Sequence, residues 1–282
     1  FFVCGSQMDI AHDLIADTLH PYFPQVQKDS IFTQVAIYYF ILSVGGIVMY
    51  LIFASLSYWF FFIWKGHIFY PETIPKEKLR AQTWHEISIA LKSLPFMAIL
   101  MMPFPVLSYR GYSKIYKNVD DYGWGYLLFS IPFFLFVTDS FIYFIHRGLH
   151  HHLMYKRVHK PHHTYRWTTP YSSHAFHPLD GFSQGVPYYL FIFVFPFHNI
   201  LWVCMFLFVN FWTISIHDQV DFGLLKSILN STDHHTIHHV DFKFNYGQYF
   251  TLWDKVCGSY RDCKQTHTIF GEKLEVTRPK KK

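Results

Sequence analysis

Charge is missing from long stretches of this chain, and those stretches set its architecture. No charged residue occurs from Ile31 to Trp64, a run of 34 residues. About 20 to 25 residues suffice for one tilted membrane crossing. Ile87 to Leu107 is a second apolar segment, with Lys92 close enough to its start to snorkel. Pro95, Pro103 and Pro105 make it irregular, which a membrane helix tolerates where neighbours cover the freed carbonyls. Trp124 to Ile145 is the third, anchored at the interface by Trp124 and Tyr126, and it runs unbroken into His146. Phe182 to Ile216 is again uncharged, but Pro187, Pro196, His198 and Asn199 divide it. That pattern predicts two shorter helices turning near Pro196–Asn199, with the stretch 186–216 either crossing or re-entering.

The expected fold is an all-α integral membrane protein of about four transmembrane segments, the last a possible hairpin, under a cytosolic helical cap. Residues 1–30 read as an acidic lumenal lead-in, 31–121 as the first two helices with their loops, 122–262 as the functional domain, and 263–282 as a polar basic tail. The composition agrees: 51% hydrophobic, 21% aromatic and only 15% charged. Basic residues set the orientation. Lys65, Lys76, Lys78 and Arg80, and the basic segment 146–166, fall on one side after two intervening crossings, which places both in the cytosol. The sequon Asn230-Ser231-Thr232 then lies in the cytosol and stays unglycosylated. The net charge of +5 suits anionic headgroups or an acidic electron donor; no nucleic-acid-binding motif accompanies it. The four cysteines have neither a zinc spacing nor the density of a disulfide scaffold.

Histidine supplies the chemistry. Thirteen of the 20 histidines lie in His146–His177 and His234–His239. His146 and His150 are four apart; His159, His162 and His163 stand at i, i+3 and i+4; His235, His238 and His239 repeat that spacing. On helices each set projects from one face and can close on a common cation. Neutral imidazole suits iron, zinc, copper and nickel. Three sets offer too many nitrogens for one metal and about enough for two. His177 and His217 are the further ligand candidates; His151, His174 and His234 are weaker ones, as ligands or supports. Asp139, one heptad before His146 on the same face, is expected to accept the free N–H of a ligand imidazole. His12, His20, His67, His85, His198 and His267 have no spaced partner and read as ordinary packing or surface residues. A metal-handling membrane protein would also concentrate histidines, but inside its crossings rather than just past the helix ends. Carboxylate-bridged bundle motifs, His-Glu-x-x-His, a Ser-His-Asp set and a Gly-rich phosphate loop are all missing.

H-x3-HH, H-x2-HH and HH-x2-HH on four apolar segments resemble the fatty acid hydroxylase/sterol desaturase superfamily. The blocks Thr138–His151, Tyr155–His163, Ser173–Phe182, Asn210–Asp218 and Asn245–Asp254 resemble its sterol C5-desaturase branch. The likeness covers residues 30–260; His152 and both chain ends fall outside it. It implies a catalytic domain over 122–262, two iron ions, and O2 as oxidant. It also implies electrons from NAD(P)H through a reductase and cytochrome b5, and residence in the endoplasmic reticulum membrane. The implied reaction converts a Δ7 3β-hydroxysterol to a 5,7-diene. Sterol 4-methyl oxidation or acyl and sphingolipid hydroxylation are the alternatives within the superfamily. Lys156, Arg157, Lys160 and Arg166 are the expected docking surface for cytochrome b5.

Overall fold

The computed structural model describes residues 7–69, 76–221 and 225–263; the first six residues and the tail from 264, with its terminal lysines, lie outside them. Helix α1 spans Gln7–Leu19, and the Lys28–Asp17 ion pair closes the loop after it. Helix α2 runs Ile31–Trp64 with wider-pitched turns at Ile41–Gly45 and Trp59–Trp64. At 1.5 Å per residue it is about 51 Å long, well beyond the ~30 Å hydrocarbon core.

Helix α3, Lys76–Met101, and helix α4, Pro103–Tyr109, meet at a bend of 42°. Pro103 explains the break, because it lacks an N–H and its ring crowds the preceding turn. Helix α5, Gly123–Leu149, absorbs Pro132 without stopping. Among the described residues, α2 and α5 are long and apolar enough to cross a membrane, and the bent α3–α4 pair is apolar enough taken together for either a broken third span or a re-entrant loop. The uncharged block after residue 182 is two helices, as its prolines predict: α6, Pro178–Val194, and α7, Asn199–Ser215. Between them Phe197 and His198 pair in parallel with Ile115 and Tyr116. Two short helices follow, α8 (Thr232–Val240) and α9 (Leu252–Val256).

The aromatic core lies where α5, α6 and α7 meet, around Phe134, Tyr189, Phe191, Phe197 and Trp202. Helix α6 sits close against α3 because it carries glycine at the contact. A Cβ on Gly181 would lie 2.2 Å from the Phe176 ring, and one on Gly185 would lie 2.4 Å from Met101 Cε. Over the ends of α2 and α3 lies the 165–174 segment. Tyr50 donates its O–H to the Tyr171 carbonyl, Thr169 donates to Glu86, and Gln82 donates to both Glu86 and the Trp167 carbonyl. Buried Glu86 therefore fixes the loop that carries His174.

Candidate metal centre

Helix α5 ends at Leu149, so His146 and His150 leave its last turn one above the other. His159 closes a single wide turn, and His162 and His163 follow on a tight one beginning after Pro161. Helix α8 presents His235, His238 and His239, and His217 comes just past the end of α7. These nine imidazoles form two groups, in each of which the nearest ring nitrogens lie within 4.8 Å of one another. His146, His150, His159, His163 and His238 make one; His162, His217, His235 and His239 make the other.

The sequence sets do not each close on one centre, contrary to their expected use. The reason is helical geometry. Residues three and four apart fall on opposite sides of their first member's stripe, and adjacent residues diverge by about 100°. His159 and His163 accordingly turn to the first group while His162 turns to the second. His235 and His239 serve the second while His238 serves the first. The rings of His163 and His239, 4.5 Å apart, join the two groups.

Within the groups the Nε2 atoms face each other. His146 and His159 are 3.1 Å apart, His159 and His163 3.0 Å, and His150 and His238 3.1 Å. In the second group His217 lies 3.0 Å from His235 and His235 3.1 Å from His239. The Nδ1 atoms decide what these contacts are. His146 Nδ1–H donates to the Tyr246 carbonyl at 2.9 Å and His238 Nδ1–H to the Phe244 carbonyl at 2.7 Å. His159 Nδ1–H donates to Asp180 Oδ2 at 2.7 Å and His217 Nδ1–H to the Thr213 carbonyl at 2.6 Å. A neutral imidazole with its proton on Nδ1 has only a lone pair on Nε2. His146 and His159 thus oppose two lone pairs, an arrangement that a cation between them satisfies. Burial and the neighbouring rings push His162, His163, His235, His238 and His239 well below the ordinary histidine value, which keeps them in the neutral, ligating form. The donor set fits two ions of an imidazole-binding transition metal.

The other expected residues lie elsewhere. His177 is outside both groups; its Nδ1 accepts from the Leu179 N–H and caps α6. His174 contacts Ser173 and Asn210. His234 caps α8 through Ser231 and reaches Tyr260. His151 and His152 are exposed, with their rings in tilted contact. Asp139 meets no imidazole: its Oδ1 accepts the N–H groups of Gln248, Tyr249 and Phe250. Asp254 accepts those of Tyr246 and Gly247. Two buried carboxylates therefore hold the 246–250 loop, whose Tyr246 carbonyl fixes His146. The carboxylate that holds one of the nine imidazoles is Asp180, which the spacing arguments passed over. Its signal was a lone acid three residues past His177 at the start of an apolar helix. Buried Asn230 donates its amide to the Gly247 carbonyl, so the sequon side chain is committed inside the protein.

A cavity of about 1120 Å³, counting its open mouth, leads to these histidines. Leu42, Met49, Met97, Met101 and Phe206 make its walls apolar, and His146, His162, His217 and His235 line it. Apolar walls with a few polar groups give it the character of a site for a hydrophobic small molecule.

The family model for fatty acid hydroxylase matches residues 131–259, the segment that carries every histidine of both groups. The lathosterol oxidase of Mus musculus is 44% identical over 83% of this chain and 78% of its own length; that of Homo sapiens shows the same figures. The Delta(7)-sterol 5(6)-desaturase erg31 of Schizosaccharomyces pombe is 42% identical over 89% of this chain and 80% of its own. No solved structure matches. The chain belongs to the fatty acid hydroxylase family, and its curated relatives are named as sterol oxidases and desaturases.

Proposed function

We propose that this protein is a membrane-bound two-iron sterol C5-desaturase, acting on a Δ7 3β-hydroxysterol in the endoplasmic reticulum. The observation that carries the reading is the meeting of nine converging imidazoles with the inner end of an apolar cavity. The relatives' names supply the reaction. Its balance is one O2, two electrons and two protons taken up, two hydrogens removed from C5 and C6, and two waters released. Iron, when bound, supplies the reduction of O2 and an oxidant able to take hydrogen from an unactivated C–H bond.

The chain's own residues do the rest. His146, His150, His159, His163 and His238 would hold one ion, and His162, His217, His235 and His239 the other. Asp180 and the carbonyls of Thr213, Phe244 and Tyr246 orient the rings. The cavity walls exclude water and align a flat apolar substrate. His150 and His163 do not line the cavity and pack instead against Tyr155 and Phe242, with ring separations of 5.5 Å for His150–Tyr155 and 4.9 Å for His163–Phe242. Lys156, Arg157, Lys160 and Arg166 are exposed nearby. That face suits an acidic one-electron donor of the cytochrome b5 type, itself reduced from NAD(P)H by its reductase. In this reading residues 122–262 form the catalytic domain, 31–121 its membrane support, and the histidines face the cytosol.

The test is a sterol profile of cells lacking their own C5-desaturase, supplied with this chain or with His159→Ala. Conversion of Δ7 sterol to the 5,7-diene by the intact chain alone is expected. Changes only in 4-methyl sterols or hydroxylated acyl chains would retain the metal centre and overturn the substrate.

A further inference from the structure

The cavity wall is apolar except for a few amides, hydroxyls and imidazoles, several of which bond to neighbouring groups. Gln184 donates one N–H to Asp180 Oδ1 at 2.7 Å, Tyr188 and Tyr249 share a hydrogen bond at 2.9 Å, and Thr213 donates to the Val209 carbonyl. Asn210 is the amide held through both its nitrogen and its oxygen. It stands within the apolar helix α7, seven residues before His217, about 10 Å of rise along the axis. Its Nδ2 donates to the Phe206 carbonyl at 2.7 Å, which fixes the amide's orientation. Its Oδ1 then faces His174 Nε2 at 3.3 Å, so that nitrogen carries the proton and donates. His174 is itself buried and braced by Ser173 at 3.0 Å. An amide has two N–H donors and two acceptor lone pairs. Held at both ends, Asn210 keeps one of each free toward the cavity that it lines.

A hydroxyl group is the ligand that uses one donor and one acceptor at a single point. We propose that Asn210, oriented by His174, is the subsite that receives the hydroxyl of the otherwise apolar substrate. This rests on the sterol reading and deepens it: the hydroxyl lies on the ring next to the C5–C6 bond. Anchoring it close to the second histidine group fixes which C–H bonds face that group, and the rest of the skeleton lies along Leu42, Met49, Met97 and Met101. A few placed polar groups in an apolar pocket set orientation rather than bulk affinity. Gln248, whose Nε2 donates to Thr213 Oγ1 at 2.9 Å, is the rival anchor in the same wall.

The experiment compares purified, iron-loaded protein in bilayer discs, with an electron donor, on a Δ7 3β-hydroxysterol and its 3-deoxy analogue. The intact chain is expected to favour the hydroxysterol about tenfold in kcat/KM, the scale of one neutral hydrogen bond. In Asn210→Leu the ratio of the two efficiencies falls toward one, with iron content per chain retained. Asn210→Ala is read by the same ratio should the leucine side chain block the cavity. Retention of the tenfold preference in both variants overturns the proposal, as does its collapse instead in Gln248→Leu or in Gln184→Leu, Gln184 being the other cavity amide with an uncommitted N–H. If the intact chain converts neither sterol, the desaturase reading fails separately. The subsite is then judged by equilibrium binding of the same two sterols, where a preference lost in Asn210→Leu still supports it and equal binding to the intact chain overturns it.

Discussion

Asp180 accepts a hydrogen bond from His159 Nδ1–H at 2.7 Å, with both side chains sealed from solvent. The bond sets the tautomer of a ring whose Nε2 stands within 3.1 Å of both His146 and His163. Gln184, which lines the cavity, donates to the other oxygen of the same carboxylate. One buried carboxylate thus ties the cavity wall to the cluster of imidazoles. Asp180→Asn removes the negative charge and, with the amide N–H turned inward, opposes the Nδ1–H. Loss of such a support typically lowers metal affinity about 10- to 100-fold. Iron per chain, titrated against a competing chelator, should fall accordingly, with Asp180→Glu intermediate; unchanged retention in Asp180→Asn would remove Asp180 from the centre.

His162 and His163 are adjacent in sequence but belong to different groups. On the proposed two-iron reading, His162→Ala is therefore expected to weaken one iron site and His163→Ala the other. Each variant should retain about one iron per chain under chelator challenge, and the two residual ions should give different Mössbauer parameters. His177→Ala should keep both ions, because His177 caps α6; loss of that cap costs about 0.5–2 kcal/mol of stability. Identical residual spectra from the two neighbouring variants would refute the division.

How much of this the sequence disclosed depends on how local each feature is. The uncharged runs and their prolines located α2, the α3–α4 bend, α5 and the α6–α7 turn, because membrane burial and proline sterics act within a few residues. The histidine spacings marked eight of the nine members, with His217 a separate candidate at the end of an apolar block, but not their partition. Partition depends on how three separate turns dock around a common centre, and each i, i+3, i+4 set reads the same whether it serves one ion or two. Asp139 looked like the ring's support because it shares a helical face with His146. The chain instead brings the 246–250 loop over that face, and its N–H groups claim the carboxylate first. Asp180 reaches His159 across 21 residues, a distance no periodicity spans.

Asp139→Ala tests that loop assignment. It strips the acceptor from the N–H groups of Gln248 and Tyr249, at 2.9 and 2.7 Å, and from the longer contact to Phe250. A buried donor left unpaired costs about 1–3 kcal/mol. Thermal unfolding in detergent should move to lower temperature, and amide exchange should quicken at 248–250 before it does in α5. Exchange that stays slow there while the protein loses iron would instead assign Asp139 directly to the centre.

Gly181 and Gly185 both line the cavity but differ in how far their neighbours can give way. Both lie on the face of α6 that meets α3, one turn apart, yet an added methyl meets different neighbours. At Gly181 it meets the Phe176 ring at 2.2 and 2.6 Å and Met97 Sδ at 2.7 Å, and an aromatic ring cannot fold away. Gly181→Ala should cost about 1–3 kcal/mol as an overpacked contact, read as a lower unfolding temperature. At Gly185 it meets only Met101, chiefly the terminal Cε at 2.4 Å, and an unbranched thioether can swing aside. Met101 also lines the cavity, so displacement there narrows the space for an apolar ligand. Gly185→Ala should leave the unfolding temperature nearly unchanged and weaken sterol binding, with iron content retained. If Gly185→Ala were the less stable of the two, the α3–α6 contact rather than the cavity would be what this glycine protects.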